Sequence, residues 1–462
     1  LPMDSPLPPF AMEDGANTEQ DQPLEIDLLE NDFDGNGDAL FLERVDNISS
    51  RGGTIEVIEA GMVKYTPAPG FLGMDEFSYE VSDEGGLTNR HGYAKIYVRN
   101  EGLATRIQFN ETDGSVARDA GPYKAHGVLT DGLCFCHSEA GKIDAALERT
   151  EEDGDRASAD FEGVGDPMEG SLSVSLWVKY AEVPGERGVL ICKGGTVIQS
   201  RFDNPRGGWF MGHVGDGGFR FAGNLQRDLW QNTEKFDREW AGPIEANTWY
   251  HLVMVMDRPN QIIRAWVNNE EVLNSNWSTF IPDGLINSSH SPLVVYSSED
   301  QQNQGNWFGP VTVDEVQIYN QALSAEEIAL LYDVDIDSDS DQMADHWEFL
   351  SFGNLETADA QSNRDGDYTN DAEEFVAGTD PNNGNEYLAI TAIQETSQNR
   401  SLTWQTVFGK SYSIEYSSSL ESASWQALAS GIFATSDRTS WNDTDAGRLG
   451  SERGFYRVKV EE

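Results

Sequence analysis

Apolar and polar residues alternate along most of this chain. Residues 76–81, 172–179 and 311–319 each alternate with a period of two, which is typical of strands that bury one face. Clusters of Gly, Asn, Asp and Pro separate such segments and mark turns. The pattern predicts an all-β, multidomain protein built from β-sandwiches, with one clear helix near residues 324–332, where Ser324 can cap the first turn.

Residues 20–101 contain five strand-like segments and three sequence motifs. The motifs are Asn31-Asp32-Phe33-Asp34, a Tyr-Thr-Pro-x-x-x-Phe-x-Gly-x-Asp-x-Phe-x-Tyr run at residues 65–79, and Ser82-Asp83. They resemble the cadherin-like tandem repeat of secreted bacterial adhesins. The resemblance implies an Ig-like or cadherin-like β-sandwich that binds calcium near its ends, with Asp32, Asp34, Asp38 and Asp83 as candidate ligands.

Residues 1–19 precede this module and are predicted to form an extended arm. They contain four prolines and show no periodicity. Either a neighbouring domain or a neighbouring molecule could hold such an arm, and in the second case strand addition would join copies into a filament. The chain begins at Leu1 without a basic or apolar leader, so we expect any export signal either to have been removed or to lie outside this sequence.

Residues 102–334 form a longer β-rich region. Its strand order and its closing Asp-Glu-Val-x-Ile-Tyr-Asn-x-Ala-Leu-Ser-x-Glu-Glu-Ile segment at residues 314–328 resemble the laminin-G-like, concanavalin-A-like jelly roll of bacterial surface proteins. The resemblance implies a domain that binds glycans or proteins, often with calcium at its rim. Four tryptophans in an insert and a late loop could stack on sugar rings, or could pack internally: Trp209, Trp230, Trp240 and Trp307.

Residues 335–385 carry the densest acidic pattern. Between residues 331 and 385 there are 15 Asp or Glu residues but only one Arg or Lys, Arg364. Two sets of oxygen-bearing residues fall at positions 1, 3, 5, 7, 9 and 12 of an EF-hand-type calcium loop, with the position-7 residue offering its backbone carbonyl. The first set is Asp337, Asp339, Asp341, Met343, Asp345 and Glu348, and the second is Asn363, Asp365, Asp367, Thr369, Asp371 and Glu374. Hard oxygen ligands at this spacing favour Ca²⁺ over Zn²⁺.

The acidic segment also resembles the short calcium segments of dockerins and thrombospondin type 3 repeats. It departs from that pattern at loop position 6, where Gln342 and Tyr368 replace a glycine. The resemblance implies a calcium-locked spacer that is unfolded without metal. The strand pattern of residues 386–462 is similar to a fibronectin-III-like β-sandwich.

The charge balance excludes some classes of function. Lys and Arg number 31 against 80 Asp and Glu, giving 31 − 80 = −49. A surface this acidic repels nucleic acid and anionic lipid, and no apolar run of about 18 residues predicts a membrane span. The Glu25-x-Asp27-x-x-Glu30 sequence matches a retaining β-glucanase signature, yet it falls on the leading strand of the cadherin-like module. No nucleophile–base pair or His cluster emerges, so we predict no enzyme.

These observations predict a secreted, non-enzymatic, calcium-stabilised adhesion or structural surface protein. Its expected partners are other surface proteins, copies of itself or glycans, without nucleic acid or membrane insertion. The alternative is a carbohydrate-binding accessory region of a secreted polysaccharide-degrading enzyme, or a stand-alone lectin. The sequence leaves the ligand and the pairing of Cys134, Cys136 and Cys192 open.

Overall fold

The structure is a computed structural model of the protein. This structure describes residues 7–111, 114–130, 133, 135, 141–149, 158–165, 170–185, 188–193, 208–214, 217–224, 235–240, 242–276, 292–297, 310–396, 398–421, 424–449, 451 and 453–461. The chain forms two compact units. The first contains the described residues of Leu1–Gln108, Ser115–Cys134 and Glu148–Leu323, and the second those of Phe109–Gly114, Phe135–Leu147 and Ser324–Glu462.

The first unit begins with a small β-sandwich. Its strands are β1 (Asp14–Thr18), β2 (Leu24–Asp27), β3 (Leu40–Val45), β4 (Thr54–Glu59), β5 (Met62–Thr66), β6 (Gly73–Asp83) and β7 (Thr88–Val98). They form a four-stranded sheet in the order β1-β7-β6-β3 and a three-stranded sheet in the order β2-β5-β4. The alternating faces of β5 and β6 close on a core that includes Val63, Tyr65 and Phe77, because side chains point alternately inward along each strand.

Part of the predicted N-terminal arm belongs to this sandwich. Phe10 forms an antiparallel bridge with Phe33, and Asp14–Thr18 pairs in parallel with residues 94–98 of β7. The predicted arm is therefore held within the chain over residues 10–18, because their backbone groups bind the adjacent sandwich. Of the two alternatives, the intramolecular one holds for this segment.

The rest of the first unit is a two-sheet jelly roll. Its strands are β8 (Leu103–Ile107), β9 (Val116–Ala117), β10 (Gly127–Leu129), β11 (Leu147–Arg149), β12 (Ala159–Phe161), β13 (Leu172–Tyr180), β14 (Gly188–Lys193), β15 (Gly208–Val214), β16 (Gly218–Asn224), β17 (Lys235–Trp240), β18 (Trp249–Asp257), β19 (Ile262–Val267), β20 (Glu270–Asn276), β21 (Leu293–Ser297) and β22 (Val311–Tyr319). One sheet has the order β17-β16-β15-β14-β21-β12-β10-β9. The other has the order β11-β22-β13-β18-β19-β20, with β8 paired to β22.

The second unit contains the helices and a terminal sandwich. The helices are α1 (Ala325–Tyr332), α2 (Asp345–Phe352), α3 (Asp371–Ala377) and α4 (Ala446–Leu449), and the strands are β23 (Ile390–Glu395), β24 (Arg400–Gln405), β25 (Ser411–Ser417), β26 (Gln426–Phe433), β27 (Arg438–Asp443) and β28 (Phe455–Glu461). Two three-stranded sheets, β23-β24-β27 and β26-β25-β28, enclose Trp404, Tyr412 and Ile414. The helix predicted at Ser324 is present as α1, with a complete capping box between Ser324 and Glu327.

The predicted fold class is confirmed: the protein is all-β and multidomain, with an Ig-like sandwich and a concanavalin-A-like jelly roll. Among the described residues, no helix has the length and apolar character needed to cross a bilayer. Two of the four described helices, α2 and α3, lie in the acidic segment, and each begins at the ninth position of one of the two predicted calcium loops.

Candidate metal centre

Two loops of the second unit share one backbone design. The first loop is residues 337–348 and the second is residues 363–374, and each passes into a short helix at its ninth position. The backbone amide of Asp345 donates to Ile336 O at 2.7 Å, and that of Asp371 donates to Ser362 O at 2.9 Å. Each bond closes its loop immediately before position 1, so both loops enter their helices in the same way.

The internal hydrogen bonds of the two loops also correspond. The position-9 carboxylates of Asp345 and Asp371 accept the amides of Ser338 and Arg364, at 2.7 and 3.1 Å. The position-7 amides then donate to the position-5 carboxylates at 2.9 Å in the first loop and 2.7 Å in the second. Because equivalent bonds recur at equivalent positions, the predicted spacing reflects a repeated fold rather than a coincidence of composition.

Both loops gather acidic oxygens. One carboxylate oxygen from each of Asp337, Asp339 and Asp341 lies within 4.8 Å of the others, and Asp365, Asp367 and Glu374 form a second such group. Like charges at this separation repel strongly unless a cation or a proton lies between them. The sequence-predicted ligands at positions 1, 3 and 5 of the first loop, and at 3, 5 and 12 of the second, are therefore brought together.

The position-12 glutamates are buried without adequate hydrogen-bond partners. Glu348 and Glu374 are 0% exposed, both carboxylate oxygens of Glu348 lack a partner, and Oε2 of Glu374 lacks one. Glu374 Oε1 accepts a 3.1 Å hydrogen bond from Thr379. Burial, and then the surrounding aspartates, raise the pKa of both glutamates to about 8. A buried carboxylate needs a compensating partner, and a bound cation supplies one.

The helices after the loops fix these glutamates in place. In α3, Asn370 caps the first turn and forms a capping box with Glu373. Both helices end at a glycine in the left-handed region, Gly353 and Gly378, with φ of 76° and 75°. Each helix is therefore held to about two turns, which leaves its glutamate one turn from the start and directed at the loop.

Position 6 differs between the two loops. Gln342 has a φ of +82°, so it adopts the left-handed conformation for which the loop normally uses glycine. Tyr368 is not among the described non-glycine residues that have a positive φ, and its side chain is 86% exposed. Both loops have a left-handed residue at position 4, Ser340 at φ +65° and Gly366 at φ +76°. The substitutions at position 6 therefore strain the first loop only.

Among the described residues, the four candidate ligands taken from the cadherin-like resemblance do not come together in a cluster of carboxylates that could hold a metal ion. Asp32 accepts the Met12 amide at 2.6 Å and lies 3.3 Å from the Tyr79 hydroxyl, and burial raises its pKa to about 6. Asp34 Oδ1 accepts the amides of Asn36 and Asp38 at 2.7 and 3.2 Å. These contacts give the carboxylates roles in holding turns.

The same holds for the acid at the end of β6. Asp83 Oδ1 accepts the Leu87 amide at 2.8 Å, and its side chain is nearly fully buried. Asp38 accepts the Asn36 side-chain amide at 3.2 Å. Both residues therefore help to hold turns at their own positions in the sandwich.

For Trp209 the structure decides between the two alternatives in favour of internal packing. This side chain lies in β15 and is 2% exposed, and its Nε1 donates to Gly165 O at 2.9 Å. Both its ring and its polar atom are used inside the jelly roll, so it cannot stack on a sugar. Trp240 ends β17, but its side chain, like Trp230 and Trp307, lies outside the described part of the chain.

The remaining sequence candidates are placed as follows. Cys192 is buried in β14, whereas Cys134 and Cys136 lie outside the described residues, so their pairing stays open. Glu25 is exposed on β2, but Glu30 follows in a turn beyond the strand end at Asp27. The two glutamates therefore do not alternate along one strand, as the glucanase signature requires.

Sequence reasoning missed two contributors to the centre. Thr379, which holds Glu374, lies five residues after the loop, where loop spacing gives no signal. The second contributor is the contact between Trp347 and Phe375, whose rings meet between α2 and α3. Their positions next to Glu348 and Glu374 were the available signal.

Two family models match parts of the chain. Residues 6–92 match the family described as bacterial Ig domain, and residues 153–329 match the concanavalin A-like lectin/glucanases superfamily. The protein is therefore multimodular, with a bacterial Ig-like module followed by a concanavalin-A-like module. No curated protein matches the sequence significantly.

Several solved structures show weak likeness to the chain. A Trypanosoma rangeli sialidase in complex with sialic acid is 14% identical with a TM-score of 0.36, covering 56% of this chain and 42% of its own. Domain 4 of an arabinanase from Geobacillus stearothermophilus, in complex with arabinotriose, is 17% identical with a TM-score of 0.33, covering 51% and 100%. The Botulinum neurotoxin serotype D ligand-binding domain, in complex with N-acetylneuraminic acid, is 12% identical with a TM-score of 0.36, covering 72% and 78%. This chain spans less than half the length of the sialidase. TM-scores this low do not support a conclusion about function.

Proposed function

We propose that this protein is a non-enzymatic, extracellular carbohydrate-binding protein whose acidic segment is folded by two calcium ions. The observation that carries the calcium part is the pair of buried, under-bonded glutamates, Glu348 and Glu374, each at position 12 of a complete loop. An exposed acidic linker would leave such carboxylates in water, where their charge costs little. A bound ion would neutralise the clustered carboxylates and connect each loop to its helix.

The donor set favours calcium over other common metals. Every candidate ligand is an oxygen, whereas structural zinc sites use cysteine and histidine. His346 lies beside Glu348, but its Nδ1 lies 3.2 Å from Leu330 O, so this ring faces α1. Magnesium prefers few protein ligands and several waters, while a 12-residue loop ending in a two-oxygen glutamate provides the six to eight ligands that calcium takes.

The carbohydrate part of the proposal is supported by the match of residues 153–329 to the lectin/glucanase superfamily. That match supports a glycan as the ligand class and leaves its identity to experiment. Attachment to a glycan-bearing surface is the second candidate function, and the bacterial Ig-like module at residues 6–92 favours it. Both candidates use the same binding step, and they differ in whether the protein also anchors a cell or an assembly.

Calcium binding is tested by titrating metal-free protein in a calorimeter. We expect two calcium ions per chain, one per chain for Glu348→Gln and for Glu374→Gln, and none for the double variant. Magnesium at the same concentration serves as the metal control and should bind far more weakly. A stoichiometry of zero for the unaltered protein, or stoichiometries that the glutamine variants leave unchanged, would refute the calcium assignment.

Carbohydrate binding is tested with a glycan array, first on the calcium-loaded protein and then in chelator. We expect binding to a defined class of glycan, without release of reducing sugar from the bound glycans. A calcium-loaded protein that binds no glycan would overturn the carbohydrate assignment while leaving the calcium assignment intact. Hydrolysis of a bound glycan would overturn the non-enzymatic part.

A further inference from the structure

The two loops are connected through the helices that follow them. Trp347 in α2 precedes Glu348 in sequence, and Phe375 in α3 follows Glu374. Their rings meet edge to face, with centroids 5.4 Å apart and planes inclined at 62°. Each buried glutamate is therefore the chain neighbour of one member of a single aromatic contact.

Two further contacts join α2 to the second loop and the segment after it. The Arg364 guanidinium, at position 2 of the second loop, lies 5.7 Å from the ring centroid of Phe352 at the end of α2. Beyond α3, the Asn382 side-chain amide donates to Ser351 O at 2.9 Å. The helix that carries Glu348 is therefore contacted from both ends of the segment that carries Glu374.

Phe375 also borders the first loop. It lines an open surface pocket of about 230 Å³ together with Asp337, Gln342 and Met343. A shift of α3 that reorients Glu374 would thus change the packing around the first loop as well. Since no backbone hydrogen bond joins the two loops within residues 331–396, all of which the structure describes, side-chain packing carries the connection.

We propose that the two calcium sites bind cooperatively and that the Trp347–Phe375 contact couples them. This inference rests on the proposed calcium function and adds a regulatory property to it. Binding the first ion fixes one position-12 glutamate, its helix and the aromatic contact. The second ion then meets a partly ordered site, so less conformational entropy is lost when it binds.

Charge opposes this coupling only weakly. Two divalent ions repel, but the first loop offers five carboxylates and the second four at the proposed ligand positions, so each loop stays net negative when it holds one ion. The ordering effect therefore outweighs the repulsion, and we expect binding of one ion to increase the affinity of the other site.

The test compares overall binding with binding to isolated sites. Glu348→Gln leaves the second loop as the sole site, and Glu374→Gln leaves the first. With independent sites, the overall constant for loading two ions equals the product of these two single-site constants. We expect the overall constant of the unaltered protein to exceed that product by about 5- to 150-fold, the usual range of coupling between ligand sites.

The aromatic contact is tested by Phe375→Leu, which keeps an apolar side chain and so preserves folding. We expect this change to bring the ratio of the overall constant to the product of the single-site constants close to one, while the single-site constants themselves change little. Val376→Ala is the matched control, because Val376 lies in the same helix but is 49% exposed, and it should keep the full ratio.

Trp347 fluorescence gives an independent readout. In Glu348→Gln, calcium can bind only in the second loop, so an emission change at Trp347 reports transmission from that loop to α2. We expect that change, and we expect Phe375→Leu to remove it. Two bound ions with a ratio of one would overturn the coupling but leave the proposed calcium function standing, whereas the absence of bound calcium would overturn both.

Discussion

The Arg99 guanidinium donates a 2.5 Å hydrogen bond to the backbone carbonyl of Asn320, although the two residues are 221 positions apart in sequence. The same guanidinium donates to Ser171 O at 2.8 Å, and Arg99 is 9% exposed. A Cβ on Gly170 would come within 2.3 Å of it, so only glycine allows this approach. One buried arginine thus fastens the end of the Ig-like sandwich to the jelly roll.

Replacing Arg99 should loosen this junction. We expect Arg99→Ala to lower the free energy of unfolding by about 2–4 kcal/mol, because two carbonyls lose a charged donor and stay buried. Calorimetric melting of the calcium-loaded protein measures the change. Arg90→Ala is the control, since its side chain is 72% exposed beside Glu80, and it should have an effect under about 1 kcal/mol. Equal effects of the two variants would contradict the assignment of Arg99 as a junction residue.

Removing calcium should destabilise the acidic segment selectively. A ligand that binds only the folded state at 100 times its dissociation constant stabilises it by about 2.7 kcal/mol per site. We therefore expect a chelator to lower the melting temperature and to increase hydrogen exchange in α2 and α3. The terminal sandwich strands, β23 to β28, provide the internal comparison.

The Glu348→Gln, Glu374→Gln double variant is the control for this experiment. Because it lacks both position-12 ligands, its melting temperature should not respond to the chelator. A melt of the unaltered protein that is the same with and without chelator would contradict the role of calcium in folding this segment.

Glycine at position 6 should help one loop only. Gln342 adopts a φ of +82°, which costs a residue with a side chain about 1–2 kcal/mol. We expect Gln342→Gly to relieve that strain and to raise the calcium affinity of the first loop several-fold. Tyr368→Gly is the matched control, because Tyr368 is not in the left-handed region and the change there adds only backbone freedom. Calcium titration of the two variants measures the affinities. An equal change in affinity for both variants would contradict strain confined to the first loop.

The geometry of the two acidic loops was predictable because their information is local. Spacing alone placed Asp337, Asp341 and Glu348 at their loop positions, and the structure gathers the first two with Asp339 and buries the third. A 12-residue turn needs no knowledge of distant contacts. The same locality explains why the capped helix α1 could be predicted from Ser324 and Glu327.

Long-range pairing was harder to predict. The segment Asp14–Thr18 has no strong strand pattern, and it becomes a strand only because β7 presents residues 94–98 beside it. Trp209 was taken for a loop residue because its neighbours are Gly207 and Gly208, yet it is paired on both sides, with Lys193 of β14 and Gly223 of β16. Tertiary contacts decided both cases, and a single sequence does not display them.

A change at Trp209 should affect stability rather than glycan binding. We expect Trp209→Ala to cost about 3–5 kcal/mol because a large buried side chain is removed. Trp209→Phe keeps most of the apolar volume but leaves the Gly165 carbonyl without its donor, which should cost about 1–3 kcal/mol. At a temperature where Trp209→Phe is folded, its glycan-array profile should match that of the unaltered protein. Selective loss of glycan binding by this variant would return Trp209 to the ligand site.

The terminal sandwich should depend on pH through Asp443. Arg448 donates to the two carboxylate oxygens of Asp443 at 2.6 and 2.7 Å, and Tyr456 donates at 2.7 Å. These bonds hold the pKa of Asp443 at about 2, below its usual value of 3.8. Because the pKa is lower in the folded state, the stabilisation is complete above about pH 4 and is lost as the pH falls towards 2.

Asp443→Asn should remove this stabilisation at neutral pH. We expect a loss of about 2 kcal/mol at pH 7, seen as faster hydrogen exchange in β25, β27 and β28, and a smaller loss near pH 2, where the unaltered carboxyl is partly protonated. Asp437→Asn makes the same charge change at an exposed position and should alter neither value. Measuring the difference between each variant and the unaltered protein cancels the acid response of the two acidic loops. A loss for Asp443→Asn that does not shrink towards pH 2 would show that the asparagine acts through packing rather than through the missing charge.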